Sequence, residues 1–373
     1  MIYLDSAATS LQKPRTVPIA VAKAMTTMAS PGRGCYAPAM LAADTVLNCR
    51  ELLANYFNVP EPENVVFTFN ATHGLNIAIY SLVSPGDKVV ISGYEHNSVT
   101  RPLHALGANV TIARSPLFDT DAAVEAFRRA LPGAKCAICT HVSNVFGFIL
   151  PIERIAALCR ERGIPLIIDA AQSAGTLPIN FAALGASFIA MPGHKGLLGP
   201  QGTGVLLCGA EAKPLLSGGT GSNSALAGMP DFLPDHLEAG THNVSGIAGL
   251  YEGVKFIARK PEKTFLMYEQ KLLYAFAEKA EPLPGVTIFY DGGAGTQGGV
   301  ISLISEQMDA DLLAEELGKA GICVRAGLHC APTAHETVGT LERGTVRFSF
   351  SPFNTMPETL RAAAVLKKIL AGI

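Results

Sequence analysis

A lysine in a glycine-rich run and an acid at the end of an apolar run carry the strongest chemical signal in this chain. Lys195 lies within MPGHKGLLGP (191–200), and Asp169 ends the strand-like run 165–169. An amine can form a Schiff base with an aldehyde, and an acid can pair with a protonated heterocycle. Together they are the least that a protein supplies to pyridoxal phosphate (PLP) chemistry. A solvated turn around Lys195 is the alternative interpretation.

The composition limits the class of protein. The chain has 373 residues, 49% hydrophobic and 16% charged, so we expect a large enzyme of two domains that share one active site. A net charge of −2 without a basic run argues against a nucleic-acid partner. The start, MIYLD, lacks a secretory signal pattern, and no apolar run reaches membrane-spanning length, so we expect a cytoplasmic protein without a membrane partner. We predict that the eight cysteines are free thiols and that there is no metal site.

Helical and strand-like patterns alternate through the first two-thirds of the chain. This alternation predicts an α/β fold with a mostly parallel sheet between helices. The predicted strands are 65–69, 88–92, 109–113, 137–141, 165–169, 188–191 and 204–207. The predicted helices are 15–29, 40–57, 72–81, 97–106, 121–131 and 152–162.

The pattern changes near residue 250, where a smaller α+β domain is predicted. A long helical pattern over 250–280 comes first. Strands are predicted near 287–290, 300–304 and 346–349, a glycine-rich loop over 291–299, and helices at 309–320 and 357–371. We therefore predict a large domain over 13–250 and a small domain made of 1–12 and 251–373.

Polar residues follow several predicted strands of the large domain, where ligands collect in open parallel sheets. They are Thr72 and His73 after 65–69, Glu95 and His96 after 88–92, Ser143 and Asn144 after 137–141, and Asp169 at the end of 165–169. Polar residues at several independent strand ends indicate one shared ligand site rather than a purely structural protein.

Three of these positions also have an ordinary structural interpretation. Thr72 opens a predicted helix, whose free amides and hydroxyl suit a phosphate, but a helix N-cap would suit it equally. His96 can stack on a planar ring and move protons, or be a polar residue satisfied by its neighbours. Gln172 can bond the phenolic oxygen of a PLP ring, or it can belong with Asp169 to a helix cap.

Two residues of the C-terminal third suit a reaction of an amino acid. Cys330 follows His329 and lies near Arg325, a setting that favours a thiolate, and it is predicted to lie on a loop. A buried structural cysteine is the alternative. Arg347 can grip a carboxylate with two hydrogen bonds, or lie on the solvated face of an edge strand.

These motifs together resemble the fold-type I, class V aminotransferase family, and within it the cysteine desulfurases and selenocysteine lyases of the SufS-like group. The resemblance runs nearly end to end and is highly specific for the family, less so for one substrate. The matching motifs are YLDSAAT (3–9), EH (95–96), HVSN (141–144) with Gly147, DAAQ (169–172), GHKG (193–196) with Gly199 and Pro200, EAGT (238–241), Arg347 with Ser349, and Asn354 with Thr355.

The resemblance implies how the cofactor is held. Lys195 would form the Schiff base with PLP, Asp169 would hold the pyridinium nitrogen, Gln172 the phenolic oxygen, and His96 would stack on the ring. The other implied cofactor-binding residues are Thr72, His73, Asn144 and His194, of which Thr72 and His194 would hold the phosphate. Thr241 would reach the phosphate of the partner subunit in a homodimer.

The resemblance also implies a reaction. Asn144, Arg325 and Arg347 would bind the substrate carboxylate, and Lys195 would remove the Cα proton. Cys330 would attack the substrate sulfur, leaving alanine and a persulfide that a sulfur-acceptor protein could take. The implied function is a cysteine desulfurase acting on L-cysteine. The alternatives are a lyase for L-selenocysteine, another class V enzyme such as an epimerase or aminotransferase, and a non-catalytic scaffold or sulfur carrier.

Three positions depart from the family pattern. The family's serine before Gly-His-Lys is Pro192, which removes a hydroxyl donor to the phosphate. The first histidine of its Gly-His-His-Cys motif is Leu328, and the tyrosine before Asn-Thr is Phe353. We expect PLP binding to survive the first change because other donors remain. The change at Leu328 is expected to lower thiolate reactivity or to shift substrate preference.

Overall fold

The computed structural model describes residues 1–32 and 34–372. The helices are α1 (Thr16–Thr27), α2 (Ala37–Phe57), α3 (Ala71–Leu82), α4 (Asn97–Leu106), α5 (Thr120–Ala130), α6 (Ile152–Glu161), α7 (Phe181–Leu184), α8 (Val244–Ala258), α9 (Thr264–Ala280), α10 (Ala310–Lys319), α11 (Pro332–Val338) and α12 (Met356–Ala371). The strands are β1 (Ile2–Tyr3), β2 (Val65–Thr68), β3 (Lys88–Ser92), β4 (Asn109–Ala113), β5 (Cys136–Thr140), β6 (Leu166–Asp169), β7 (Phe188–Pro192), β8 (Gly204–Cys208), β9 (Val286–Phe289), β10 (Val300–Ser305), β11 (Ile322–Cys323), β12 (Arg325–Gly327) and β13 (Thr345–Ser349).

A seven-stranded sheet forms the centre of the larger part of the molecule. Its order is β2-β8-β7-β6-β5-β3-β4, and only β8 runs antiparallel to its neighbours. The central strands β5, β6 and β7 are buried along their whole length, as expected for strands covered by helices on both faces. The prediction of an α/β fold with a mostly parallel sheet is confirmed.

The two faces of this sheet bury separate hydrophobic clusters. On one face Leu75 of α3 and Leu103 of α4 pack over the sheet. On the other face Leu53 of α2, Phe127 of α5 and Ile155 of α6 do the same. Helices on both faces leave the carboxyl edge of the strands as the open side, where a ligand can enter.

A smaller antiparallel sheet, ordered β12-β13-β10-β9, lies in the C-terminal part of the chain. A further cluster of buried side chains packs against it, with Phe348 at its centre beside Phe276 at 4.5 Å between ring centroids. The N-terminal residues Ile2 and Leu4 belong to this cluster, and β1 pairs with β11. The boundary expected near 250 falls inside α8, and the division into two domains stays a prediction.

Several short elements differ from the sequence-based expectation. The helical pattern over 250–280 is two helices, α8 and α9, because Pro261 between them lacks the N–H that a continuous helix needs. Five short elements were not predicted, because two to seven residues are too few to show a period: β1, β11, β12, α7 and α11.

Candidate active site

Seven of the predicted site residues line one pocket at the carboxyl edge of the large sheet. They are Thr72, His96, Asn144, Asp169, Gln172, His194 and Lys195. Most of them follow the ends of β2, β3, β5, β6 and β7, whose side-by-side arrangement brings distant segments of sequence together. The residues at these strand ends therefore share one site.

The turn that carries Lys195 is packed tightly and depends on its glycines. A side chain at Gly193 would come within 2.1 Å of the Thr203 hydroxyl, and one at Gly196 within 2.3 Å of the Ala174 carbonyl oxygen. Burial lowers the pKa of Lys195 to about 8, although Asp169 acts in the opposite direction. A solvated turn is therefore the wrong interpretation, and about a tenth of this amine is uncharged at pH 7.

Asp169 supplies the acid of the pocket. It is 3% exposed and accepts a hydrogen bond from the Ala171 amide at 2.9 Å. Burial raises the pKa of its carboxyl, while the Ala171 amide and Lys195 favour the charged form. A carboxylate held in this way has a strong tendency to pair with a cationic group such as a protonated ring nitrogen.

Glu95, one of the polar residues predicted at the strand ends, lies close to Asp169, although no individual role was predicted for it. It is fully buried and accepts hydrogen bonds from the Ser92 hydroxyl and, at 2.7 Å, from the Thr140 amide. Burial raises the pKa of Glu95 to about 8, and Asp169 contributes in the same direction. Burial therefore favours the neutral form of Glu95 beside Asp169.

His96 caps the start of α4 through its own side chain. Its Nδ1 accepts the Ser98 amide at 3.0 Å, so the proton of the neutral ring resides on Nε2. Burial, then the charges of Lys195, Arg101 and Arg347, lower the pKa of His96 to about 4. The ring is thus neutral at physiological pH, which suits stacking on another planar ring.

Thr72 and Gln172 are not helix caps. The N-cap of α3 is Asn70, whose side chain accepts the His73 amide at 2.9 Å. The Thr72 hydroxyl instead lies 2.7 Å from that of Ser98, and the Gln172 amide donates to the Ala7 carbonyl oxygen at 2.9 Å. Both side chains line the pocket, where they are free to meet a ligand.

The N-terminal segment fixes the position of His194. The Thr9 hydroxyl lies 3.0 Å from its Nδ1, and the Ser10 amide donates to its carbonyl oxygen at 3.0 Å. Burial, with Lys195 and Lys13 adding to it, lowers the pKa of His194 to about 4. A neutral imidazole can offer a phosphate one N–H, and Lys13 is the nearby cation.

Arg347 lies in the middle of the small sheet rather than on an edge strand. Strand β13 pairs with β10 on one side and β12 on the other, and Arg347 is 2% exposed. Its Nη1 donates to the Asn144 carbonyl oxygen at 3.0 Å, and its Nη2 to Asp5 at 2.7 Å. The solvated-face interpretation is wrong, and the contact with Asn144 joins this arginine to the pocket wall.

Cys330 lies on the loop between β12 and α11, as predicted, and is exposed. Its carbonyl oxygen accepts the amide of Asn97, the residue after His96, at 2.7 Å. The carbonyl oxygen of His329 accepts the Asn144 side-chain amide at 2.8 Å. The loop is therefore fastened to two walls of the pocket, and the interpretation of Cys330 as a buried structural cysteine is wrong.

The positive charge near Cys330 does not come from its neighbouring histidine. His329 is 8% exposed and lies 3.0 Å from the Thr345 hydroxyl, and burial lowers its pKa to about 2. A histidine in that setting stays neutral, so the expectation that it would favour a thiolate by its charge is wrong. Arg325, whose pKa is raised by its hydrogen bond to Asp5, is the cation on β12, the strand that leads into the Cys330 loop.

Two predicted cofactor residues lie away from this pocket. His73 and Thr241 line a separate pocket, together with Glu238. A buried ion pair between Glu238 and Arg50, 2.9 Å apart, anchors the EAGT segment to α2. The role predicted for Thr241 needs a second subunit, and the roles of both residues stay predictions.

The family model described as aminotransferase class V matches residues 2–361. The chain belongs to this family. The probable cysteine desulfurase of Methanothermobacter thermautotrophicus is 32% identical, and the match covers 99% of this chain and 94% of that protein. The probable cysteine desulfurase of Pyrococcus abyssi is 29% identical, with 100% of this chain and 95% of that protein covered.

Solved structures agree with this class V assignment. The apo cysteine desulfurase from Thermococcus onnurineus has a TM-score of 0.92 and 30% identity, covering 100% of this chain and 95% of that one. The cysteine desulfurase CsdA from Escherichia coli has a TM-score of 0.86 and 26% identity, with the same coverage. The predicted family and its fold type I are thereby confirmed.

Proposed function

We propose that this protein is a PLP-dependent cysteine desulfurase that converts L-cysteine to L-alanine and keeps the sulfur as a persulfide on Cys330. The observation that carries the proposal is the meeting of Lys195 and Asp169 in one pocket, whose wall residue Asn144 is hydrogen-bonded to the loop that carries Cys330. Its similarity to the named cysteine desulfurases supports the same activity.

The pocket residues fit PLP by their chemistry. The partly uncharged amine of Lys195 can react with the aldehyde, and the buried Asp169 can pair with the pyridinium nitrogen. The neutral imidazole of His96 can stack on the face of the ring. Thr72, beside the N-terminus of α3, and His194 would hold the phosphate, since helix amides attract anions. When bound, PLP supplies an aldehyde that links to amines and a ring that withdraws electrons from the substrate's Cα.

The chain's own residues would then divide the work. Arg347 and Asn144 bind the substrate carboxylate, and the Lys195 amine carries the proton away from Cα. The Cys330 thiolate attacks the substrate's sulfur, so that an S–S bond forms as the C–S bond breaks. The electrons of the broken C–S bond stay with Cβ of the substrate, which takes up a proton. The product then leaves as alanine.

Product analysis tests this reaction against its alternatives. The PLP-loaded protein is incubated with L-cysteine and, separately, with L-selenocysteine, and alanine is measured. Alanine in equal amount with protein-bound or released sulfur is expected from cysteine. Alanine from selenocysteine alone would identify a selenocysteine lyase. A keto acid or D-amino acid would identify another class V reaction, and no turnover of either compound would favour a scaffold or sulfur carrier.

The rate of PLP uptake by the apoprotein is expected to rise with pH through about 8. Attack on an aldehyde needs the uncharged amine, and burial lowers the pKa of Lys195 to about 8. A lysine in water would instead show its rise above about pH 10. Stopped-flow absorbance of apoprotein mixed with PLP measures the rate, with Lys195→Arg as the control that shows no covalent uptake. A rate independent of pH between about 6 and 9 would contradict this role of burial.

We also propose a homodimer, in which Thr241 serves the partner's cofactor. Large apolar side chains stand exposed on α1, α2 and the segment 213–243: Ile19, Met25, Met40, Leu47, Leu226 and Phe232. Exposed apolar surface of this kind is typical of a protein interface.

A sulfur-acceptor protein and a cytoplasmic location stay predictions. Among the described residues no helix is long and apolar enough to span a membrane.

Thr241→Ala is expected to weaken PLP retention about tenfold without changing the dimer, because it removes one phosphate donor. Dialysis against a PLP-free buffer measures retention, and light scattering measures the mass against the 39.1 kDa of one chain. Thr287→Ala, on the outer strand β9, is the matched control. A wild-type mass equal to one chain would argue against the dimer. PLP retention in Thr241→Ala equal to that of the wild type would argue against the role of Thr241.

A further inference from the structure

The N-terminal motif YLDSAAT places an acid between the two arginines predicted to bind the substrate carboxylate. Oδ1 of Asp5 accepts a hydrogen bond from Nη2 of Arg347 at 2.7 Å. Oδ2 of Asp5 accepts hydrogen bonds from Nε and Nη2 of Arg325 at 3.1 and 2.9 Å. Asp5 is 8% exposed, so water screens its pair with Arg347 only weakly. An anion of the chain itself therefore already occupies part of the carboxylate site.

The guanidinium of Arg347 has hydrogen-bond donors that its protein partners leave unused. Its Nη1 and Nη2 each make one hydrogen bond, to the Asn144 carbonyl oxygen and to Asp5, and each nitrogen carries two hydrogens. Its Nε is buried and meets no acceptor among residues 1–32 and 34–372. A buried guanidinium N–H without an acceptor favours a ligand that supplies one. A carboxylate can also accept the second hydrogens of Nη1 and Nη2.

Asp5 is held in place by the main chain around it. The Ser349 amide donates to the Leu4 carbonyl oxygen at 2.8 Å, and the Ala7 amide donates to the Ser349 hydroxyl at 2.9 Å. Residues on both sides of Asp5 are thus tied to β13, the strand that carries Arg347. The main chain of Asp5 is therefore fixed beside Arg347, and hydrogen bonds to both arginines orient its carboxylate.

The charge balance sets how tightly a carboxylate binds. Two arginines and one aspartate leave a single net positive charge, which suits one carboxylate, whereas removal of Asp5 would leave two. Cysteine and alanine carry the same carboxylate, so extra affinity for this group would hold the product as tightly as the substrate. Binding that does not distinguish the reacting states lowers KM without raising the rate of the chemical step.

We propose that Asp5 is a positioning residue that aims Arg347 and, as a fixed counter-ion, limits its grip on the carboxylate so that the alanine product is released. This inference rests on the proposed function, since it needs an amino-acid substrate. It gives a role to the YLDSAAT motif. The roles proposed for Lys195, Asp169 and Cys330 do not involve this motif.

Binding of L-alanine to the PLP-loaded Asp5→Asn protein tests the proposal. Asparagine has nearly the same size and keeps one acceptor oxygen, but it lacks the charge. Titration followed by calorimetry is expected to show alanine binding about tenfold tighter than in the wild type. Ethylamine, which is alanine without its carboxylate, should bind both proteins equally. KM for cysteine should fall by the same factor as the Kd of alanine.

Asp311→Asn is the matched control, because it removes the same charge from the exposed start of α10. Alanine binding that is unchanged or weaker in Asp5→Asn, in a protein with wild-type thermal stability, would overturn the proposal. If Asp5→Asn does not fold, Asp5→Ser is used instead, because it also removes the charge. Tighter alanine binding is expected for it as well. A wild-type protein that binds neither alanine nor ethylamine contradicts the proposed function instead.

Discussion

Lys195→Ala protein is expected to form alanine from L-cysteine at least about a thousandfold more slowly than the wild type. The substitution removes the only group that the proposal uses both to attach the cofactor and to move the Cα proton. Burial keeps this amine partly uncharged, with a pKa of about 8, and that property is lost with the side chain. Alanine formation in the presence of added PLP is the measurement.

Two variants separate chemistry from charge and from folding. Lys195→Arg keeps a positive charge beside Asp169 but offers no uncharged amine, and it should be as inactive as Lys195→Ala. Lys271→Ala, on the exposed face of α9, should match the wild type. Activity in Lys195→Arg within about tenfold of the wild type would show that the charge, rather than a reactive amine, is what this position provides.

Cys330→Ala is expected to reduce sulfur release from cysteine at least about a hundredfold, while alanine formation from selenocysteine persists. The thiolate is needed to take sulfur from carbon, whereas selenium is the better leaving atom and can depart without a nucleophile. The exposed loop position of Cys330 leaves its thiol accessible to a substrate and then to an acceptor. Parallel assays of both substrates give the comparison.

Cys35→Ala is the control for Cys330→Ala, since Cys35 is also an exposed free thiol. It should leave both activities unchanged, and mass spectrometry should find the extra sulfur atom on the peptide of Cys330 alone. Equal survival of both activities in Cys330→Ala would remove this residue from the mechanism. Equal loss of both would mean that the cysteine acts in a step common to the two substrates.

The strands and the pocket were predictable because their signals are local. The buried strands β5, β6 and β7 are short apolar runs that end at polar residues, and parallel strands bring those ends together. Lys195 and Asp169 could therefore be placed in one site from the sequence. The tight packing of the glycines around Lys195 was not predicted, because it depends on Thr203 and Ala174, which only the folded chain brings beside them.

The substrate side of the site could not be read in the same way. Asp5 and Arg347 lie at opposite ends of the chain, and no period or spacing links them. The ionisation of Glu95 and His329 depends on burial within the folded molecule, which a sequence motif does not report. His329 was accordingly misread as a source of positive charge, and the counter-ion of the arginines was missed.

The most direct test of the account is borohydride reduction of the PLP-loaded protein followed by peptide mapping. Reduction makes the bond between an amine and the cofactor's aldehyde carbon permanent. The account predicts that the cofactor is found on the peptide that contains Lys195, in about one copy per chain. Cofactor attached to a different lysine, or an unmodified Lys195 in a protein that retains PLP, would contradict it.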